Sequence, residues 1–138
     1  MPIFIARQYF KSQIGFTRNE LSRRSVTMGP DFYLPTNLKG IDPEKGFLYT
    51  DIAVHYERNL NLYGKLLSNG VSPEQARIVL PQATYTTFIE TGSLSAFARL
   101  YNLRIEKHSQ MEIQEYAKVL DKIISNIAPV SWNALTTI

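Results

Sequence analysis

The chain opens on a short apolar run, "PIFIA" (residues 2–6), which predicts a buried strand. The "RQYFKSQ" that follows predicts a helix with Arg7 and Lys11, four residues apart, on one face. From Gly15 to Arg24 both periods disappear and polar residues take over, as in a loop laid over a ligand. "MGPDFYLP" stands between Gly-Pro and Pro35, and a turn-rich, exposed stretch containing "KGIDPEKG" runs on to Gly46. Helical periodicity returns with Asp51 as cap. It places Ile52, Tyr56, Leu60, Tyr63 and Leu67 along one side and ends where Asn69-Gly70 supplies a left-handed C-terminus.

Ser72-Pro73-Glu74-Gln75 combines a capping serine, a first-turn proline and a reciprocal glutamine. A short helix containing Arg77 therefore opens there and stops before Pro81. "ATYTTFI" (residues 83–89), rich in β-branched and aromatic residues, predicts a strand. Thr91 or Ser93 can cap a helix through "LSAFARLYNL". A last long helix spans Ser109 to Asn126 and turns Met111, Tyr116, Val119, Leu120, Ile123 and Ile127 inward. This irregular alternation predicts an α+β fold of a single domain, an antiparallel sheet packed with helices, without repeats or low-complexity tracts.

At 138 residues the chain suits one core rather than two. Fifteen Lys and Arg against 12 Asp and Glu give a formal charge of +3, a mild bias that fits a phosphorylated small ligand as readily as a polynucleotide. The absence of cysteine excludes disulfides, thiolate metal sites and a cysteine nucleophile, and makes a reducing cytoplasm the expected location. "MPIFIA" lacks the basic flank and cleavage site of a signal peptide, and no apolar run reaches the ~18 residues of a membrane helix. No membrane association is expected.

The seven glycines form neither a dinucleotide fingerprint nor a phosphate loop, so a bound nucleotide has to be held by side chains. His55 and His108 have no second ligand at metal spacing, and no metal site is expected; His55 reads as a solvated helix residue. The informative residues are Arg23, Arg24, Arg77, Arg99 and Arg104. Each sits in apolar or small-residue company, where a planar five-donor cation calls for a carboxylate or phosphate in forked geometry. For any one of them a structural salt bridge to Glu20, Glu90, Glu106 or Glu112 is the competing reading. Arg18, Arg23 and Arg24 among Tyr9, Phe10 and Phe16 could also form a single-strand nucleic-acid surface. Glu20 interrupts that patch, so no nucleic-acid partner is expected.

Four ordered segments resemble the flavin-dependent thymidylate synthases (ThyX). "RQYFKSQIGFTRNELSRR" resembles their signature, Arg-His-Arg followed by two residues, Ser, one residue, Asn-Glu, one residue, Ser, one residue and Arg-Tyr. "PDFYLP" follows at the expected distance. "EQARIVLP" resembles the Ala-Arg-hydrophobic-hydrophobic-Leu-Pro block, and "LYNLRIEKHSQMEIQEYA" the Leu-Arg…His-x-Gln-x-Glu-Ile stretch. The resemblance implies methylation of dUMP to dTMP, with methylenetetrahydrofolate as carbon donor, FAD carrying the hydride and NADPH as reductant.

It also implies roles. Ser22, Arg23 and Arg24 would wrap the dUMP phosphate, Arg77 would add a guanidinium, and Gln8 and Glu20 would orient the nucleotide. Arg104 would lie against the uracil and stabilise negative charge developing on it, which makes the ring attackable without a cysteine adduct. Lys11, Asn19, Leu103 and His108 match positions on the FAD side. The Arg-His-Arg triplet falls on Lys11-Ser12-Gln13, or in the other register on Ser12-Gln13-Ile14; the first keeps one cation. The motif tyrosine is Ser25, and a flavin-side Asn and Arg are replaced by Ser93 and Ser95.

The family carries several dozen residues before its equivalent of "PIFIARQ", where this chain begins. The expectation is a ThyX-like domain over residues 1–138 without that segment, possibly the C-terminal part of a split enzyme. A separate N-terminal chain or a second copy would then cover the severed sheet edge. The resemblance further implies a homotetramer with shared sites. The competing reading is a non-catalytic dUMP-binding or assembly module of the same descent.

Overall fold

The computed structural model describes residues 1–21, 29–36, 38–40 and 42–137. Its first element is a helix, α1 (Ile3–Tyr9), not the strand expected of "PIFIA". A short apolar run is ambiguous between a strand and a buried helix. Here Ile5, Ala6 and Tyr9, spaced for one helical face, are buried. The N–H groups that open a helix have no partner inside it. In α1, Ile3 N and Phe4 N donate to the carbonyls of Thr84 (2.9 Å) and Gln82 (3.0 Å), while Pro2 bridges Tyr85. Lys11 lies beyond the end of α1, so the shared Arg7–Lys11 face does not form.

The chain divides into two compact units, Met1–Phe4 with Leu21–Thr87 and Ile5–Glu20 with Phe88–Ile138. In the first, α2 (Phe47–Ser68) starts four residues before the expected cap, following a 3-10 turn over Pro43–Lys45. Its end is as expected: Asn69 is the C-cap, Gly70 adopts φ +82°, and Gly70 N and Val71 N return to Leu67 O and Leu66 O. Tyr63 is buried, with Ile52 and Tyr56 half-buried beside it, whereas Leu60 and Leu67 are exposed, contrary to the expected stripe. Tyrosines explain the difference. Tyr56 Oη donates to Tyr33 O (3.0 Å), its ring lies 5.0 Å from that of Phe32, and Tyr49 Oη accepts from Leu38 N (2.7 Å). Polar tips thus anchor the helix to Phe32, Tyr33 and Leu38 along a narrower line than its apolar pattern suggests.

α3 (Pro73–Ala76) continues as a 3-10 turn over Arg77–Val79 and stops before Pro81, as expected. The Ser72 side chain does not cap it; the Ser72 carbonyl accepts from Gln75 N and Ala76 N instead.

In the second unit, residues expected to loop over a ligand form strand β1 (Phe16–Glu20), antiparallel to β2 (Phe88–Gly92) with Arg18 opposite Glu90 and Asn19 opposite Ile89. The strand expected over 83–89 is thus displaced towards the C-terminus; Thr84 and Tyr85 contribute only isolated bridges. Two glycines permit this pairing. A Cβ on Gly92 would stand 2.5 Å from the Phe16 ring, and Gly15, at φ +85°, would place one 2.9 Å from Ala96 Cβ.

Ser93 Oγ then accepts from Ala96 N (3.2 Å) and caps α4 (Leu94–Ile105). α5 (Met111–Ile127) and α6 (Pro129–Thr136), a helix the sequence pattern did not indicate, complete a three-helix layer around Ala96, Ala98, Leu100, Ile113, Ala117 and Trp132. Trp132 Nε1 donates to Asp121 Oδ1 (2.6 Å), and its ring meets Tyr101 at 5.6 Å. Val119, Ile123 and Ile127, expected inside, are exposed. The buried face of α5 runs instead through Ile113 and Ala117, whose small side chain lets a neighbouring helix approach. Helices and one antiparallel pair make the fold α+β.

Candidate functional site

Seven of the residues singled out in the sequence fall in the second unit: Gln8, Lys11, Asn19, Glu20, Leu103, Arg104 and His108. Arg77 belongs to the first unit, where its Nε donates to Glu74 O (3.1 Å) from an exposed position. Ser22, Arg23, Arg24 and Ser25 lie outside the described residues.

Gln8 and Arg104 come together. Arg104, in the last turn of α4, donates from Nη2 to the Gln8 carbonyl, one of the acceptors left open at the end of α1. The negative end of the α1 dipole favours a guanidinium there. The Gln8 side chain donates from Nε2 to Gln110 Oε1 (2.6 Å), tying α1 to the residue that precedes α5. Among the described residues, Arg104 Nε is the one buried side-chain nitrogen or oxygen without a hydrogen-bond partner. Leaving such a donor unpaired costs about 1–3 kcal/mol. An acceptor oxygen on a ligand would relieve that cost.

The other residues spread over a more exposed surface. Lys11 is exposed on the turn between α1 and β1, Asn19 is exposed on β1, Leu103 is half-exposed and His108 is exposed between α4 and α5. Leu103 O accepts from Ser109 Oγ (3.2 Å), which closes the α4–α5 connection. Strand alternation separates Asn19 from Glu20: the side chains of Thr17, Asn19, Ile89 and Thr91 share the outer face, and Phe16, Arg18, Glu20, Phe88 and Glu90 the other. Neighbours in the motif therefore serve different faces.

The most heavily engaged side chain of the unit is one the motif did not mark. Arg18 pairs through Nε with Glu90 Oε1, and donates from Nη2 to Ser12 O (2.6 Å) and from Nη1 to Phe10 O (3.5 Å). Its Cζ stands 5.6, 5.1 and 4.6 Å from the ring centroids of Tyr9, Phe10 and Phe16. The second Glu90 oxygen accepts from Tyr9 Oη (2.7 Å). Burial, then the hydrogen bond and charge of Glu90, push the Tyr9 hydroxyl far above the usual tyrosine range, so it remains a donor. Reading residues 16–20 as a strand would have put Phe16 and Arg18 on one face, the signal that was available in the sequence. The partner, Glu90, follows only from the pairing of the strands.

Residues 1–130 match the family model described as "Thymidylate synthase complementing protein". The chain is similar to flavin-dependent thymidylate synthases of Thermosipho melanesiensis, 37% identical over 146 aligned residues covering 96% of this chain and 63% of that protein. It resembles that of Thermotoga neapolitana to the same degree, 37% over 137 residues, covering 96% and 62%. It thus spans somewhat over six-tenths of the length of these curated relatives. Among solved structures, a UMP/dUMP methylase, PolB from Streptomyces cacaoi, bound with 5-Br UMP, superposes with a TM-score of 0.83 at 25% identity, covering 98% of this chain and 69% of that one.

Proposed function

Because the chain belongs to the thymidylate synthase complementing protein family, that of the flavin-dependent thymidylate synthases, we propose that it binds dUMP and takes part in its methylation to dTMP, with methylenetetrahydrofolate as carbon donor and NADPH as reductant. FAD, when bound, supplies the hydride transfer. The observation that carries the proposal is the buried, unpartnered Nε of Arg104 beside the carbonyl that holds its Nη2. A guanidinium anchored on one nitrogen and unpartnered on another holds a donor in reserve for a uracil oxygen, where it would stabilise charge that grows as the ring is activated. Gln8, locked to Gln110, keeps the end of α1 and hence the anchor of Arg104 in place. Gln8 and Glu20 orient the nucleotide, and Ser22, Arg23, Arg24 and Arg77 bind its phosphate. Lys11, Asn19, Leu103 and His108 form the flavin side. Residues 1–138 act as one family domain, in a homotetramer or with a separate N-terminal chain.

A second reading, a dUMP-binding module without turnover, is favoured by Lys11-Ser12-Gln13 standing where the resemblance places Arg-His-Arg. The absorption spectrum of the purified protein after FAD addition and desalting, with and without dUMP, separates the two. A retained flavin band shifted by dUMP is expected of the enzyme. A colourless protein that binds dUMP supports the module, or an enzyme that takes up FAD only with its separate N-terminal chain, and one that binds neither overturns both readings.

A further inference from the structure

The Arg18–Glu90 pair lacks an account in the roles assigned so far. Their side chains are 13% and 8% exposed. An ion pair so buried adds little net stability over an apolar pair of the same volume. What it adds is geometry, because each of the three Arg18 nitrogens has an acceptor: Glu90 on β2, Phe10 O where α1 ends, and Ser12 O in the turn that follows. Arg99 holds the same turn from α4, its Nη2 donating to Ile14 O (2.6 Å). The carbonyls of residues 10, 12 and 14 are thereby all claimed by guanidiniums. Carbonyl oxygens left open beside an ammonium would compete with an incoming anion for it. With these three occupied, Lys11 is the exposed cation on the same turn.

We propose that Arg18, with Arg99 as its auxiliary, is a positioning residue that shapes the turn at residues 10–15 so that Lys11 receives the diphosphate of the flavin. The proposal rests on the flavin-binding reading above. It assigns Arg18 a task that a lysine cannot perform, since an ammonium lacks the planar fork that reaches Glu90, Phe10 O and Ser12 O together.

The test is a double-mutant cycle on the full chain, with FAD and dUMP dissociation constants measured by titration for the wild type, Arg18→Lys, Lys11→Met and the double variant. Each single variant is expected to weaken FAD about tenfold. The double variant should lose no more than either, and dUMP affinity should stay within about threefold. Losses that multiply, equal losses for both ligands, or an Arg18→Lys protein with unchanged FAD affinity would overturn the assignment. Should Arg18→Lys fail to fold, the exposed Arg99→Lys replaces it, with about a threefold loss for FAD alone expected and no change counting against the proposal. A wild-type chain that binds dUMP but no FAD removes both the flavin reading and this inference. A wild-type chain that binds FAD with no coupling between Arg18 and Lys11 removes the inference only.

Discussion

Arg18 and Arg104 are the same residue in one compact unit, and their surroundings differ in the respect that matters for function. Each nitrogen of Arg18 has an acceptor, and three aromatic rings surround its guanidinium. Arg104 is held at one nitrogen by the Gln8 carbonyl while its buried Nε has no acceptor. A guanidinium with every nitrogen engaged positions the protein; one with a buried nitrogen in reserve is built to meet something else. The count of satisfied donors separates the roles where residue type and burial do not.

The strongest challenge to this comparison is Arg104→Ala. It should lower turnover, or dUMP affinity where turnover is absent, by about 10²–10³-fold with the fold retained, because the lost donor acts on the ligand, while loss of the bond to the Gln8 carbonyl costs only about 1–3 kcal/mol. Unchanged dUMP binding in a steady-state or calorimetric titration would erase the distinction between the two arginines. Glu90→Ala should act on the fold instead. Stranding the Arg18 cation costs about 3 kcal/mol in chemical denaturation, and Arg18→Met/Glu90→Met together should recover most of it. A double variant as unstable as the single one would mean that packing, not charge, dominates there.

Smaller effects sharpen the picture of the β1–β2 pair. Gly92→Ala forces a Cβ against the Phe16 ring and should cost about 1–3 kcal/mol in the same assay. Tyr9→Phe removes one hydrogen bond to Glu90 and about 1 kcal/mol. Its sharper signature is pH dependence. The folded chain holds the Tyr9 proton above the usual value of 10.0, while the unfolded chain releases it near that value. Above pH 10 the unfolded state therefore binds fewer protons and stability falls as pH rises. Tyr9→Phe should flatten that decline, and denaturation midpoints between pH 9 and 11 measure it; an unaltered slope would assign the decline to Tyr56 and Tyr101, which burial also shifts upward.

What the sequence determined by itself was local or carried by motif. The Asn69-Gly70 terminus of α2, the start of α4 at one of two candidate caps (Thr91 or Ser93), the stop before Pro81 and the family were legible because caps, breakers and ordered motifs act within a few residues. Tertiary structure decided the rest. Whether "PIFIA" becomes a strand or a helix depends on the Gln82 and Thr84 carbonyls, some 80 residues away, that accept its first N–H groups. The inward face of α5 depends on α6 and on Trp132 reaching Asp121. Arg18 gained its carboxylate only when residues 16–20 paired with 88–92. In each case a polar group or apolar face could be satisfied in more than one way locally, and the partner that settled it arrived from a distant part of the chain.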